Sequence, residues 1–173
     1  MKDTMNRIFG FSAAVALVLA LLPTAASSQQ KTLKEQLVGA WTLVSIIATD
    51  KAGNKSDRRG PNPKGLLIFD ASGRYSILTS RAELPNFKID NVNQGTPEEN
   101  KAVMTGMFAN VGTWTVDEAT RTITTHVEAG SYPNLNGNSQ TRVISGLTPD
   151  ELRYTNGASV SGTVDEATWR RAK

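Results

Sequence analysis

The chain has no cysteine and one histidine, His126, among its 173 residues. Without cysteine there are no disulfides to staple the fold, so it must stand on a packed core. A zinc centre takes three or four side-chain ligands, and one histidine with no cysteine cannot supply the usual set, so no metal is expected. Excess charge is equally scarce: 19 Lys and Arg oppose 16 Asp and Glu, a formal net charge of +3. The basic residues are scattered. Arg58-Arg59 and Arg170-Arg171 are pairs rather than clusters, and no aromatic residues interleave with them, which argues against a nucleic-acid groove. No Gly-x-Ser-x-Gly elbow, phosphate-cradling glycine loop or dinucleotide fingerprint follows a suitable strand, so no cofactor is expected. Alternating strand–helix–strand units and internal repeats are also missing.

The chain also lacks a hydrophobic run long enough to cross a bilayer. Its longest, Ile8 to Leu22, falls short of the roughly 20 residues a spanning helix needs. Lys2 and Arg7 precede the run, and Pro23-Thr24-Ala25-Ala26-Ser27-Ser28 follow it. A positive start, an apolar middle and small residues at the end are the marks of a secretory signal peptide. The expectation is a signal peptide over residues 1–28, cut after Ala26 or Ser28. Residues 29–173 would then form one periplasmic or secreted domain with no stable membrane insertion.

Within that domain the local signals are those of a mainly β fold. Thr32 and Glu35 form a capping-box pattern, predicting a short helix from about Leu33 to Leu37 that ends at Gly39. A first strand follows from Ala40 to Ile47, then a long polar loop from Asp50 to Lys64. Gly65–Phe69 and Arg74–Thr79, joined by Asp70-Ala71-Ser72-Gly73, read as a hairpin. Thr96-Pro97-Glu98-Glu99 combines a capping threonine, proline at the first helical position and a glutamate closing the box. It predicts a helix over 97–109 with Val103, Met104, Met107 and Phe108 on one stripe. Further strands follow at Gly112–Val116, Arg121–Ala129, Ser139–Ser145, Leu152–Thr155 and Gly162–Arg171. About eight short strands and two helices fit an antiparallel meander closed into a barrel.

Gly39-Ala40-Trp41, opening the first strand after a short helix, resembles the Gly-x-Trp signature of lipocalins, and Trp169-Arg170-Arg171 supplies arginine to the last strand. More specifically, the chain resembles a bacterial lipocalin-like domain family in the order of several fragments. These are Gly-Leu-Leu-Ile-Phe at 65–69, Thr-Pro-Glu-Glu at 96–99, Val-Gly-Thr-Trp-Thr-Val-Asp-Glu at 111–118, Thr-His-Val-Glu at 125–128, Tyr-Pro-Asn at 132–134 and the Trp-Arg-Arg ending. The resemblance implies an eight-stranded barrel with a lumen, and a guanidinium from Arg170 or Arg171 lying on the Trp41 indole to close one end beside Gly39. The Thr-Asp-Tyr turn of many ligand-carrying lipocalins is missing, and Thr125 stands where relatives would carry a second histidine. Both differences argue against a retinoid-type carrier and a paired-histidine site.

The candidate site starts from the strand around His126. Alternation places Thr122, Thr124, His126 and Glu128 on one face and Ile123, Thr125, Val127 and Ala129 on the other. If the polar face points inward, Glu128 can orient or charge the His126 imidazole, and Arg142 and Tyr154 can join them. If it points outward, Ile123 and Val127 fill the core instead. The leading expectation is a barrel that binds a small hydrophobic or amphipathic molecule. His126, Glu128 and Arg142 would hold its polar end, with Trp114, Tyr75, Tyr154 and Met107 also in contact. Two alternatives stand beside it. One is a small-molecule isomerase, cyclase or hydrolase with His126 as acid/base and Glu128 as its orienter. The other is a packed barrel serving as a structural or interaction module.

Overall fold

A computed structural model describes residues 31–173. The expected signal peptide over residues 1–28 lies outside the described residues. The elements in order are helix α1 (Leu33–Leu37), strands β1 (Gly39–Thr49), β2 (Lys55–Asp57), β3 (Lys64–Phe69) and β4 (Arg74–Ser80), helix α2 (Pro97–Gly106), and strands β5 (Met107–Asp117), β6 (Thr122–Gly130), β7 (Ser139–Leu147), β8 (Glu151–Asn156) and β9 (Val164–Arg171). Every pairing is antiparallel. The order runs β2-β1-β3-β4-β5-β6-β7-β8-β9, and β1 also pairs with β9, closing eight strands into a barrel. β2 is the extra strand. β3 pairs only with Gly39–Thr42 of β1, and β2 takes the free side of β1 farther on, at Ile47–Thr49. The Gly, Asn, Pro and charge content of Asp50 to Lys64 predicts a loop here, and the structure corrects it at Lys55-Ser56-Asp57, a fully exposed strand with no apolar alternation to mark it.

Both capping boxes form. Thr32 Oγ1 accepts from the Glu35 N–H at 3.1 Å and Glu35 answers to the Thr32 N–H at 2.8 Å. In α2, Thr96 and Glu99 make the same exchange. Helix α2 is shorter than the expected 97–109 and stops at Gly106. Met107, Phe108 and Ala109 pair instead with Ser80, Thr79 and Leu78 of β4. Sheet hydrogen bonds from a barrel wall outweigh the modest helical preference of three residues. Leu84 packs against the bare Cα of Gly106 at this junction, where a Cβ would lie 2.4 Å from Leu84 Cδ2 and displace that side chain.

The interior is divided along the barrel axis. At one end Trp41 and Trp169 are fully buried with Leu37, Ile123 and Leu152, and Phe69 and Trp114 pack with ring centroids 4.6 Å apart. Helix α1 plugs this end. Leu33 and Leu37 point into the core, and the Trp41 indole N–H donates to Leu37 O at 2.9 Å. Glu118, in the turn between β5 and β6, receives the N–H groups of Leu33 and Lys34 at 2.9 and 3.2 Å, satisfying two donors a helix start leaves open. Arg171 completes the closure. Its guanidinium lies 3.8 Å from the Trp41 ring centroid and donates to Gln36 O, Val38 O and Pro149 O at 2.6, 2.9 and 2.8 Å. Arg170, the other candidate for this role, is exposed on the outer face.

Three bulges set which residues face inward. Val44, Glu128 and Ser145 are each unmatched between neighbouring paired positions. In β1 the extra residue moves the inward series from Trp41 and Leu43 to Ile46 and Ala48.

Candidate functional site

The other half of the barrel is hollow. A cavity of about 470 Å³ opens between the strands, within the size range of small-molecule sites. Its apolar wall comes from Ile46, Ile77, Met104, Met107, Phe108 and Ala167. Met107 and Phe108 reach it because α2 ends early and hands them to β5. Met104 and Thr105, in the last turn of α2, form part of the lining.

The charged lining is four guanidiniums, Arg58, Arg59, Arg81 and Arg142, against one carboxylate, Asp165. Arg142 projects inward from β7 because Gln140, Arg142 and Ile144 form its buried face. It is 5% exposed and donates to Thr125 Oγ1 at 2.7 Å and Gln140 Oε1 at 3.2 Å. Its charge lies 5.7 Å from the Tyr154 ring centroid, within cation–π range. Burial pushes the Tyr154 hydroxyl up from its ordinary pKa, with Arg142 opposing, so the phenol is neutral and available as a donor near neutral pH.

Arg58 and Arg59 follow β2 and differ in their pairing. Arg58 forms an ion pair with Asp165 at 2.7 Å and also reaches Ser159, Ser161 and Thr163, tying the β2–β3 connection to the one between β8 and β9. Arg59 is 6% exposed and donates only to neutral oxygens, Thr79 Oγ1 at 3.2 Å and Thr105 O at 3.1 Å. Burial, then the nearby charges of Arg58 and Arg81, lowers its pKa to about 10, so it is still a cation at neutral pH. Among the described residues, neither Arg59 nor Arg142 has a carboxylate partner.

These observations redistribute the sequence-derived candidates. His126 and Glu128 do not face the lumen. They are exposed on the outer surface, while Ile123, Thr125 and Val127 of the same strand point inward. The hydrophobic term decides this: burying Ile123 and Val127 stabilises the barrel, whereas the polar face keeps its hydration outside. Glu128 pairs with Arg74 at 2.5 and 2.8 Å, and that contact is the first cause of its lowered pKa. His126 Nδ1 lies 3.4 Å from Ser139 Oγ. Trp114 and Tyr75 are buried but do not line the cavity. The Trp114 indole donates to Asp70 O at 3.0 Å in the plugged end, and the Tyr75 hydroxyl meets Asn110 Oδ1 at 2.7 Å. Arg142, Tyr154 and Met107 do line it.

Arg58, Arg59 and Arg81 line the cavity without any local sequence signal that marks them as doing so. Alternation exposes Arg142, but nothing local places a polar loop's arginines inside a barrel. One consequence concerns the histidine. Replacing His126 with alanine is expected to change unfolding free energy by no more than about 0.5 kcal/mol, as for ordinary surface positions, and to leave small-molecule affinity unaltered. Chemical denaturation and ligand titration of the variant check both.

A family model described as a lipocalin-like domain matches residues 38–172. No curated protein matches. Among solved structures, a lipocalin-like protein from Bacteroides uniformis ATCC 8492 is 14% identical, covers 79% of this chain and 99% of its own, and gives a TM-score of 0.44. Bovine odorant binding protein in complex with a selenium-containing odorant is 17% identical over 86% of this chain and 78% of its own, with a TM-score of 0.42. A redesigned β-barrel, mFAP1, bound to DFHBI, is 16% identical over 82% of this chain and all of its own, with a TM-score of 0.39. The family model covers every strand from β1 to β9, and this chain belongs to the lipocalin-like domain family.

Proposed function

We propose that the barrel binds a small, partly apolar molecule with an anionic group, seated in the lumen with its charged end at Arg142. The observation that carries this reading is the pairing of a 470 Å³ cavity, apolar along Ile46, Ile77, Met107 and Phe108, with a buried arginine that lacks a counter-ion among the described residues. A buried guanidinium held only by neutral oxygens leaves part of its desolvation cost unmet, and a carboxylate is its natural bidentate partner. Gln140 and Thr125 fix the orientation of the fork, and the Tyr154 ring supports it from one side. In the same proposal the protein works after export, in the periplasm or outside the cell, as its leader-like N-terminus suggests. The outward position of His126 takes that residue out of any role as an acid or base in the lumen.

Thermal-shift screening of fatty and aromatic acids against the matching alcohols tests the reading. An acid at 100 times its dissociation constant should stabilise the barrel by about 2.7 kcal/mol. Replacing Arg142 with glutamine should weaken acid binding by roughly 1.5–3 kcal/mol, the worth of a charged hydrogen bond, while affecting the alcohols far less. No shift from any acid, or equal effects of Arg142→Gln on acids and alcohols, would refute the assignment.

A further inference from the structure

The cavity holds more positive charge than the protein neutralises. Arg58 has Asp165 as its partner, and Arg81 is exposed. That leaves Arg59 and Arg142, both buried and both bonded to neutral oxygens alone. They enter from different walls. Arg142 comes from β7, against Thr125 of β6 and the Tyr154 ring of β8. Arg59 comes from the connection after β2 and bonds Thr79 of β4 and Thr105 of α2. Strands β4 and β7 stand three steps apart in a ring of eight, on facing sides of the lumen.

The two also differ in depth. Thr79 is one residue from the end of β4, and Thr105 one residue from the end of α2, so Arg59 sits at the mouth. Arg142 is in register with Ile123, a member of the fully buried core, so it sits farther in. Arg59 Nη2 makes no hydrogen bond among the described residues, whereas Nε and Nη1 are engaged. One side of its fork is therefore open to an incoming acceptor.

We propose that the lumen takes a molecule with two separated acidic groups, one held by Arg142 inside the barrel and the other by Arg59 at the mouth, with an apolar body between them. The proposal rests on the anionic-ligand reading above and narrows it from one acidic group to two. Each guanidinium desolvated without a counter-ion gains from a carboxylate that brings charge and two acceptor oxygens together. A molecule with a single acidic group satisfies only one of the two sites.

Isothermal titration of the full chain with straight-chain monoacids and α,ω-diacids of matched length, from octanedioic to tetradecanedioic acid, tests it. At the best length the diacid should bind at least about tenfold more tightly than the monoacid, and Arg59→Gln should bring that ratio close to unity. If Arg59→Gln fails to fold by circular dichroism, Arg59→Lys, which keeps the charge but loses the fork, should still reduce the ratio. Equal affinities for matched mono- and diacids across the series would overturn the two-anchor proposal and leave the single-anion reading standing. Failure of both series to bind would overturn the two together.

Discussion

Replacing Arg171 with alanine is expected to lower the unfolding free energy by about 3–4 kcal/mol, although the residue is only partly buried. Three hydrogen bonds from one cation disappear at once, to Gln36 O, Val38 O and Pro149 O, together with the face contact on Trp41. The first two carbonyls belong to the end of α1, where a helix leaves acceptors without internal partners. Losing them frees the plug as well as the last strand. For a domain of this size the melting temperature should fall by roughly 10 °C. Arg171→Lys should recover only a minor part, because an ammonium cannot present the planar fork that reaches three separate carbonyls. The neighbouring Arg170→Ala is the control. Its side chain is exposed, and its effect should stay within about 0.5 kcal/mol. Equal losses for the two arginines would remove Arg171 from its role as the clasp of the closed end.

The second large effect is expected at Gly112. A Cβ built there would lie 1.9 Å from the carbonyl oxygen of His126 and 3.1 Å from the Glu128 nitrogen. The obstacle is backbone, so rotation of a side chain cannot relieve it. This is the point where β5 meets the bulge of β6, with Gly112 opposite Val127 and Glu128 left over. Gly112→Ala must push two strands apart inside a closed ring, and a loss of about 3 kcal/mol or more is expected, at the upper end of overpacking costs. Gly157 provides the comparison, since nothing lies within 4 Å of a Cβ there. Gly157→Ala should be neutral or slightly stabilising through its effect on the unfolded chain. Denaturant midpoints of the two variants decide the matter, and similar stabilities would mean the bulge relaxes more easily than its geometry implies.

These two positions show what kind of information a sequence carries. Arg171 was within reach of sequence reading because Gly39-Ala40-Trp41 and Trp169-Arg170-Arg171 are compact patterns, although only the register of β9 chose between the two arginines. Gly112 was not, because its need for a bare Cα comes from a strand more than ten residues away. The candidate site divides in the same way. Arg142 could be read from the alternation of Gln140, Arg142 and Ile144 along one strand. Arg59 could not, because its place depends on a three-residue strand that forms only where β1 has a free edge.

The sequence by itself determined what nearest neighbours along the chain decide: both capping boxes, the hairpins and the antiparallel meander they build. Those rest on contacts within a few residues, where spacing alone fixes who can touch whom. Only the tertiary structure decided which face of each strand turned inward, where α2 stopped and which arginines met in the cavity. Each of those outcomes is a competition settled by closure of the ring. Burial of Ile123 and Val127 turned His126 and Glu128 out to water, and pairing with β4 drew Met107 and Phe108 out of the helix and into the wall.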